Sequence, residues 1–354
     1  MTLSVPAGVI ERYLEFLPFM GSAPDLTIGE GGTPLVRAPV LEDRTGIREV
    51  WLKLEGCNPT GSFKDRGMVV AVAKALEADA RALICASTGN TAASAAAYGA
   101  RAGVTTVCVV PHDSTASGKM AQTRMFGARV VAVTGTFDHA LTIVRRLAER
   151  DGVELVNSVN PNRLEGQKTA AFEIVDALGD APDELYLPVG NAGNIAAYWR
   201  GFVGYREAGR ATQTPVLRGF QAEGAAPMVL GHPIDDPVTQ ASAIRIGNPA
   251  NWDEAAAARD ASDGSIEAVP ESAIADAYRL LAQEMGVFVE PASAAGIAGL
   301  LQRRAGGPAS AERVVCVLTG SGLKDPDTAL RESDDPIAAP PDLDAVTRVL
   351  GWSD

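Results

Sequence analysis

Gly56-Cys57-Asn58-Pro59-Thr60-Gly61-Ser62-Phe63-Lys64-Asp65-Arg66-Gly67 sets one lysine in a turn rich in glycine, proline and serine, directly before the apolar run Met68-Val69-Val70-Ala71-Val72. That placement suits a primary amine that forms and exchanges an imine with a bound aldehyde, chemistry that only lysine offers among side chains. Taken alone the residue favours a plainer reading, a solvated lysine at a helix start, where a cation is mildly unfavourable. Segments far downstream separate the two readings.

Leu185-Tyr186-Leu187-Pro188-Val189 reads as a short buried strand, followed by Gly190-Asn191-Ala192-Gly193-Asn194 and a helical run from Ile195 to Tyr205. Glycines there let backbone N–H groups crowd round an anion, and the helix N-terminus adds partial positive charge, so a phosphate fits. The alternative is an ordinary tight turn. The loop lacks both the glycine pattern of dinucleotide sites and the Lys-Ser/Thr ending of a P-loop. Ala82-Leu83-Ile84-Cys85-Ala86 is a second strand-like run, opening through Ser87-Thr88-Gly89-Asn90-Thr91 into the alanine-rich stretch Ala92 to Ala102. Its hydroxyls and N–H groups suit a carboxylate, and Asn90 can hydrogen-bond a phenolic oxygen. Val314-Val315-Cys316-Val317-Leu318 ends in Thr319-Gly320-Ser321-Gly322, where a neutral hydroxyl suits a ring nitrogen. Each segment alone is also a capped helix or a turn; together they match the groups of pyridoxal 5'-phosphate.

The set resembles the fold type II family of pyridoxal-phosphate enzymes, the tryptophan synthase beta-like group, and more narrowly the threonine synthases. The resemblance covers nearly the whole chain. Gly29-Glu30-Gly31-Gly32-Thr33-Pro34-Leu35 is similar to an N-terminal motif of the family, with Gly32 where asparagine is commoner; Asn157 to Lys168 and Ala243 to Pro249 match further on. The resemblance implies an α/β fold of two domains with parallel-rich twisted sheets flanked by helices. The smaller domain would span 64–159, the larger 1–63 with 160–354, and the cofactor would lie between them. It also implies roles: Lys64 holds the cofactor and acts as base, and Gly190, Asn191, Ala192, Gly193 and Asn194 bind its phosphate. Asn90 orients the ring oxygen and Thr319 meets the ring nitrogen.

The reaction implied turns O-phospho-L-homoserine and water into L-threonine and phosphate, which requires a second phosphate site. Asn157, Ser158 and Arg163 answer that need, with Thr91 as a further contact and Ser87 and Thr88 on the substrate carboxylate; a guanidinium fork matches phosphate geometry. Without the resemblance the same residues read as a strand end with an exposed arginine. Arg245 and Lys168 are further cations to which no role is assigned. Cysteate synthase or another β-replacing pyridoxal-phosphate enzyme of the same fold is the competing reading. The family habit is a homodimer, and the long N-terminal extension of effector-activated relatives is missing, so no such control is expected.

Composition agrees with a cytoplasmic enzyme. The 354 residues are enough for about two domains. A net charge of −13 argues against nucleic acid or an anionic membrane as partner. Cys57, Cys85, Cys108 and Cys316 show no CxxC spacing, three of them inside apolar strand-like runs, and His112, His139 and His232 have no ligand spacing, so neither disulfide nor metal is expected. No secretory or membrane-length apolar segment is present.

Strands are expected at Val50 to Leu54, Leu83 to Ala86, Val104 to Val110, Ala128 to Val133, Glu154 to Asn157, Glu184 to Val189, Leu217 to Ala222 and Arg313 to Thr319. Helical runs separate most of them, which argues for parallel sheets covered on both faces. Phe137, Leu141, Val144 and Ala148 are expected to face the core with Arg145 and Arg146 outward, as are Ile274, Tyr278, Leu281 and Met285. Gly224 to Glu267 reads as a long irregular segment.

Overall fold

A computed structural model describes residues 7–20, 22–112, 120–307 and 311–352. Its strands are β1 (Leu35–Arg37), β2 (Glu49–Leu54), β3 (Ala82–Ala86), β4 (Thr105–Pro111), β5 (Arg129–Val133), β6 (Val153–Leu155), β7 (Glu184–Pro188), β8 (Val216–Ala222), β9 (Ser265–Val269) and β10 (Arg313–Leu318). They form a six-stranded sheet in the order β1-β2-β10-β7-β8-β9 and a four-stranded sheet in the order β5-β4-β3-β6. Every pairing among these strands is parallel except β1 with β2.

Continuous apolar runs become central strands because both faces of each sheet are covered. Along β10, Val314, Cys316 and Leu318 face a core shared with the helices Glu271–Gln283 and Pro291–Ala305. Val315 and Val317 point the other way, into a core built with Thr169–Leu178 and Gly193–Glu207. The same alternation splits β3: Leu83 and Cys85 pack under the helices Lys64–Glu77 and Asn90–Ala102, while Ile84 and Ala86 pack against Phe137–Leu147.

All eight expected strands are present, within a residue or two at their ends. β1 and β9 were not expected. Both are edge strands, and most of their residues are only half-buried or exposed, so neither leaves a continuous apolar run. The segment read as irregular instead holds the helices Pro227–Leu230 and Trp252–Ala261 and runs into β9. Trp252–Ala261 buries only Ala255 and Ala258, so its apolar stripe is too slight to register as periodic. In Phe137–Leu147 the buried stripe runs through Ala140 and Val144, leaving Phe137 exposed, while Arg145 and Arg146 face solvent. Ile274, Tyr278 and Leu281 are buried as expected.

One buried charge cluster anchors the helix that begins at Lys64. Arg66 donates to Glu55 at 2.7 and 2.8 Å and to Glu173 at 2.6 and 2.8 Å, and Lys53 donates to Glu173 at 2.7 Å. All four side chains are buried. Burial by itself would raise the Glu173 carboxyl, but Arg66 and Lys53 hold it well below its ordinary value. Arg66→Met, which leaves two carboxylates without their shared partner, is expected to destabilise the fold by about 3–5 kcal/mol in urea unfolding. In the native protein the depressed Glu173 contributes stability that is complete above its ordinary value of 4.5 and is lost as pH falls below it, so acid titration should show stability decaying in that range.

Candidate active site

Four loops that leave the carboxyl ends of parallel strands converge: those after β3, β6, β7 and β10. This is where open parallel sheets place ligands. The pocket between them is lined by Lys64, Asn90, Ser158, Arg163, Gly190 to Asn194, Asn251, Glu290 and Thr319, among others.

Lys64 is the first residue of the helix Lys64–Glu77, and its turn is tied to the end of β10. Phe63 N–H donates to the Thr319 carbonyl at 3.0 Å, and Ser321 N–H donates to the Gly61 carbonyl at 2.9 Å. Lys64 Nζ lies 4.1 Å from the Phe63 ring centroid. Burial first, then the neighbouring Arg163 cation, draw its amine down to about 7, against an opposing pull from Glu290. A lysine drawn so low is neutral over much of the physiological range, the state in which it acts as nucleophile or base.

Arg163 reaches the same pocket through a close helix contact. A Cβ at Gly67 would lie 2.4 Å from the Arg163 carbonyl, and one at Gly166 would lie 1.9 Å from the Arg66 carbonyl. Only glycine at both positions lets Lys64–Glu77 and Pro161–Gln167 approach this closely. The Arg163 side chain, 1% exposed, donates to the Val156 carbonyl at 3.2 Å, and its Nε is buried without a partner. Among the described residues no carboxylate pairs with it. Burial lowers its guanidinium to about 10. A buried, incompletely paired cation beside a cavity could hold an anion.

The loop Gly190 to Asn194 opens the helix Gly193–Glu207, whose N-cap Ala192 adopts a left-handed φ of 64° and provides no side-chain cap. The first N–H groups of that helix therefore have no internal acceptor. Asn194 Nδ2 is also buried without a hydrogen-bond partner. Orphaned donors at a helix N-terminus fit the phosphate of pyridoxal 5'-phosphate. Elsewhere in the pocket lining Thr319 Oγ1 lies 3.0 Å from Ser293 Oγ, which also accepts from Gly320 N–H at 3.0 Å. The donor set thus fits the cofactor: an amine of lowered basicity, a loop able to cradle a phosphate, and the neutral side chains of Asn90 and Thr319 in the same pocket.

The other expected substrate residues lie beside the pocket. Ser158 lines it. Asn157 does not: its amide exchanges two 2.9 Å bonds with the backbone of Ala86, binding the ends of β3 and β6 together. Ser87, Thr88 and Thr91 sit on the β3 loop and the first turn of its helix, outside the pocket lining. Lys168 pairs with Glu165, and Arg245 is exposed. Sequence reasoning overlooked Glu290, Ser293 and Asn251. Asn251 Nδ2 donates to the Asn191 carbonyl at 3.1 Å and to that of Ser158 at 3.4 Å. Glu290 precedes Pro291 at a helix start, so in the sequence it looks like a helix cap and nothing more.

The profile of the pyridoxal-phosphate dependent enzyme family matches residues 26–320. The chain belongs to that family. Its cofactor is accordingly pyridoxal 5'-phosphate. It is 55% identical to the threonine synthase of Synechocystis sp. over 98% of this chain and 91% of that protein. It is also 55% identical to the threonine synthase of Halalkalibacterium halodurans over 96% of both. Among solved structures, the processed form of threonine deaminase isoform 2 from Solanum lycopersicum superposes with a TM-score of 0.72 at 26% identity, covering 85% of this chain and 87% of that one. Among the described residues no helix is long and apolar enough to cross a membrane.

Proposed function

We propose that this protein is a threonine synthase, a pyridoxal-phosphate-dependent carbon–oxygen lyase that converts O-phospho-L-homoserine and water into L-threonine and phosphate. The observation that carries this reading is that one pocket is lined both by the Gly190 to Asn194 loop, where Asn194 Nδ2 has no partner, and by the buried, incompletely paired Arg163, which we read as one site for each of two phosphates. The near-full-length identity to threonine synthases supports the same reading.

When bound, the cofactor supplies an aldehyde that condenses with amines and an electron sink for the substrate carbons. The Gly190 to Asn194 loop holds its phosphate, Asn90 orients its phenolic oxygen, and Thr319 meets its ring nitrogen with a neutral hydroxyl. A hydroxyl, unlike a carboxylate, does not strongly favour a protonated ring. Lys64 moves protons at Cα and Cβ of the substrate, for which its amine must be neutral. Arg163 and Ser158 hold the substrate phosphate and stabilise it as it leaves Cγ; water then adds at Cβ. Thr91 and Asn157 support that phosphate site, and Ser87 and Thr88 take the substrate carboxylate. The smaller domain spans 64–159 and the larger 1–63 with 160–354. The enzyme acts as a cytoplasmic homodimer on this small molecule, with neither nucleic acid nor membrane as partner, and sedimentation measures the dimer.

Phosphate release from O-phosphohomoserine and from O-phosphoserine tests the substrate. The two differ by one methylene, so release from phosphohomoserine should be at least about tenfold faster in kcat/KM. Faster release from phosphoserine would favour a β-replacing enzyme such as cysteate synthase.

A further inference from the structure

Beyond its opposing pull on the Lys64 amine Glu290 has no role assigned so far, yet it lines the pocket and is closely held there. It is 5% exposed and stands at the N-cap of the helix Pro291–Ala305. Its backbone is fixed at both ends: its N–H donates to the Gly320 carbonyl at 3.0 Å, and its carbonyl accepts from Ser293 N–H at 2.9 Å. A Cβ at position 320 would lie 2.4 Å from Glu290 Oε1, so the residue after Thr319 must be glycine for the carboxylate to stand where it does. From there the carboxylate receives Asn90 Nδ2 at 3.1 Å on one oxygen and 3.0 Å on the other.

A carboxylate only accepts hydrogen bonds, whereas an asparagine amide carries two donors on nitrogen and an acceptor on oxygen. With Glu290 in place the reversed amide would set oxygen against oxygen. We propose that Glu290 is a positioning residue that fixes the amide of Asn90, leaving its remaining N–H as the donor offered to the cofactor's phenolic oxygen. The inference rests on the reading that Asn90 faces that oxygen.

Binding of pyridoxal 5'-phosphate to apoprotein, followed by equilibrium dialysis and by the absorption maximum of the complex, tests it without reference to turnover. Asn90→Ala should weaken binding about five- to tenfold, the worth of one hydrogen bond, and move the absorption maximum. Glu290→Ala should reproduce most of both effects. Glu290→Gln, which keeps an acceptor oxygen toward Asn90, should return binding to within about twofold of the parent. At a pH well above 7, where the Lys64 amine is neutral with or without the pull of Glu290, Glu290→Ala should add nothing further in the Asn90→Ala background, because its effect runs through the amide. If thermal melting shows that Glu290→Ala has lost the fold, Glu290→Ser, which suits a helix N-cap but cannot reach Asn90, takes its place. A silent Asn90→Ala overturns both the Asn90 reading and this inference. An effect of Asn90→Ala together with a silent Glu290→Ala overturns the inference alone. Equal losses in Glu290→Ala and Glu290→Gln, or additive losses with Asn90→Ala, assign Glu290 a role independent of the amide and overturn it too.

Discussion

Lys64→Ala is expected to lower phosphate release from O-phosphohomoserine by at least about 10⁴-fold, the upper range for loss of an acid–base group, and to abolish the visible absorption band of the purified protein. Borohydride reduction of the parent protein, followed by peptide mapping, should place the cofactor on the peptide containing position 64. Lys64→Arg should be as inactive as the alanine variant, because guanidinium stays protonated and forms no exchangeable imine. The basicity of Lys64 adds a pH test. Burial and Arg163 disfavour its ammonium form and bring it to about 7, so in apoprotein the amine is neutral above that pH and charged below it. Uptake of pyridoxal 5'-phosphate by apoprotein should therefore accelerate as pH rises through about 7 and level off above. An apoprotein that reconstitutes fastest below pH 6, or an alanine variant within about tenfold of the parent, would remove Lys64 from the chemistry.

Arg163→Met is expected to raise KM for O-phosphohomoserine by about 10²-fold or more, since charge-assisted bonds to phosphate contribute about 1.5–3 kcal/mol each. The same variant should be more stable than the parent without ligand. Arg163 stays charged throughout the working range, because its lowered value of about 10 lies well above neutrality, and its Nε has no partner. Methionine keeps the packed stem and removes the buried charge. Arg163→Lys keeps the cation without the fork and should fall between the two in KM. Activity and stability moving in opposite directions separates a ligand site from a structural arginine, whose removal would cost both. A lower melting temperature with KM unchanged would sink the phosphate assignment.

Much of this site was legible before any fold was known. The turn carrying Lys64, the loop from Gly190 to Asn194 and the strand ending at Thr319 each carry a local signal in glycines, hydroxyls and apolar runs. Glu290 and Asn251 carry none. Each is an ordinary polar residue at an element start, and its meaning lies in a partner about 200 residues away in one case, Asn90, and about 60 in the other, Asn191. Asn157 makes bonds that the sequence does not announce. Its residue type suits a phosphate, yet in the fold its amide is engaged by the backbone of Ala86.

Local chemistry settles which segments form strands and turns, and which of them can offer an amine or cradle an anion, because propensity and periodicity act over a few residues. Sheet order settles which of those segments meet. β10 lies between β2 and β7, and so brings Thr319 against the turn before Lys64 and beside the loop after β7. Close packing at Gly67 and Gly166 then sets Arg163 next to the lysine; burial lowers the basicity of both groups, and Arg163 lowers that of Lys64 further. Burial and charge proximity belong to three-dimensional neighbours, so the basicity that makes Lys64 useful exists only once the chain is folded.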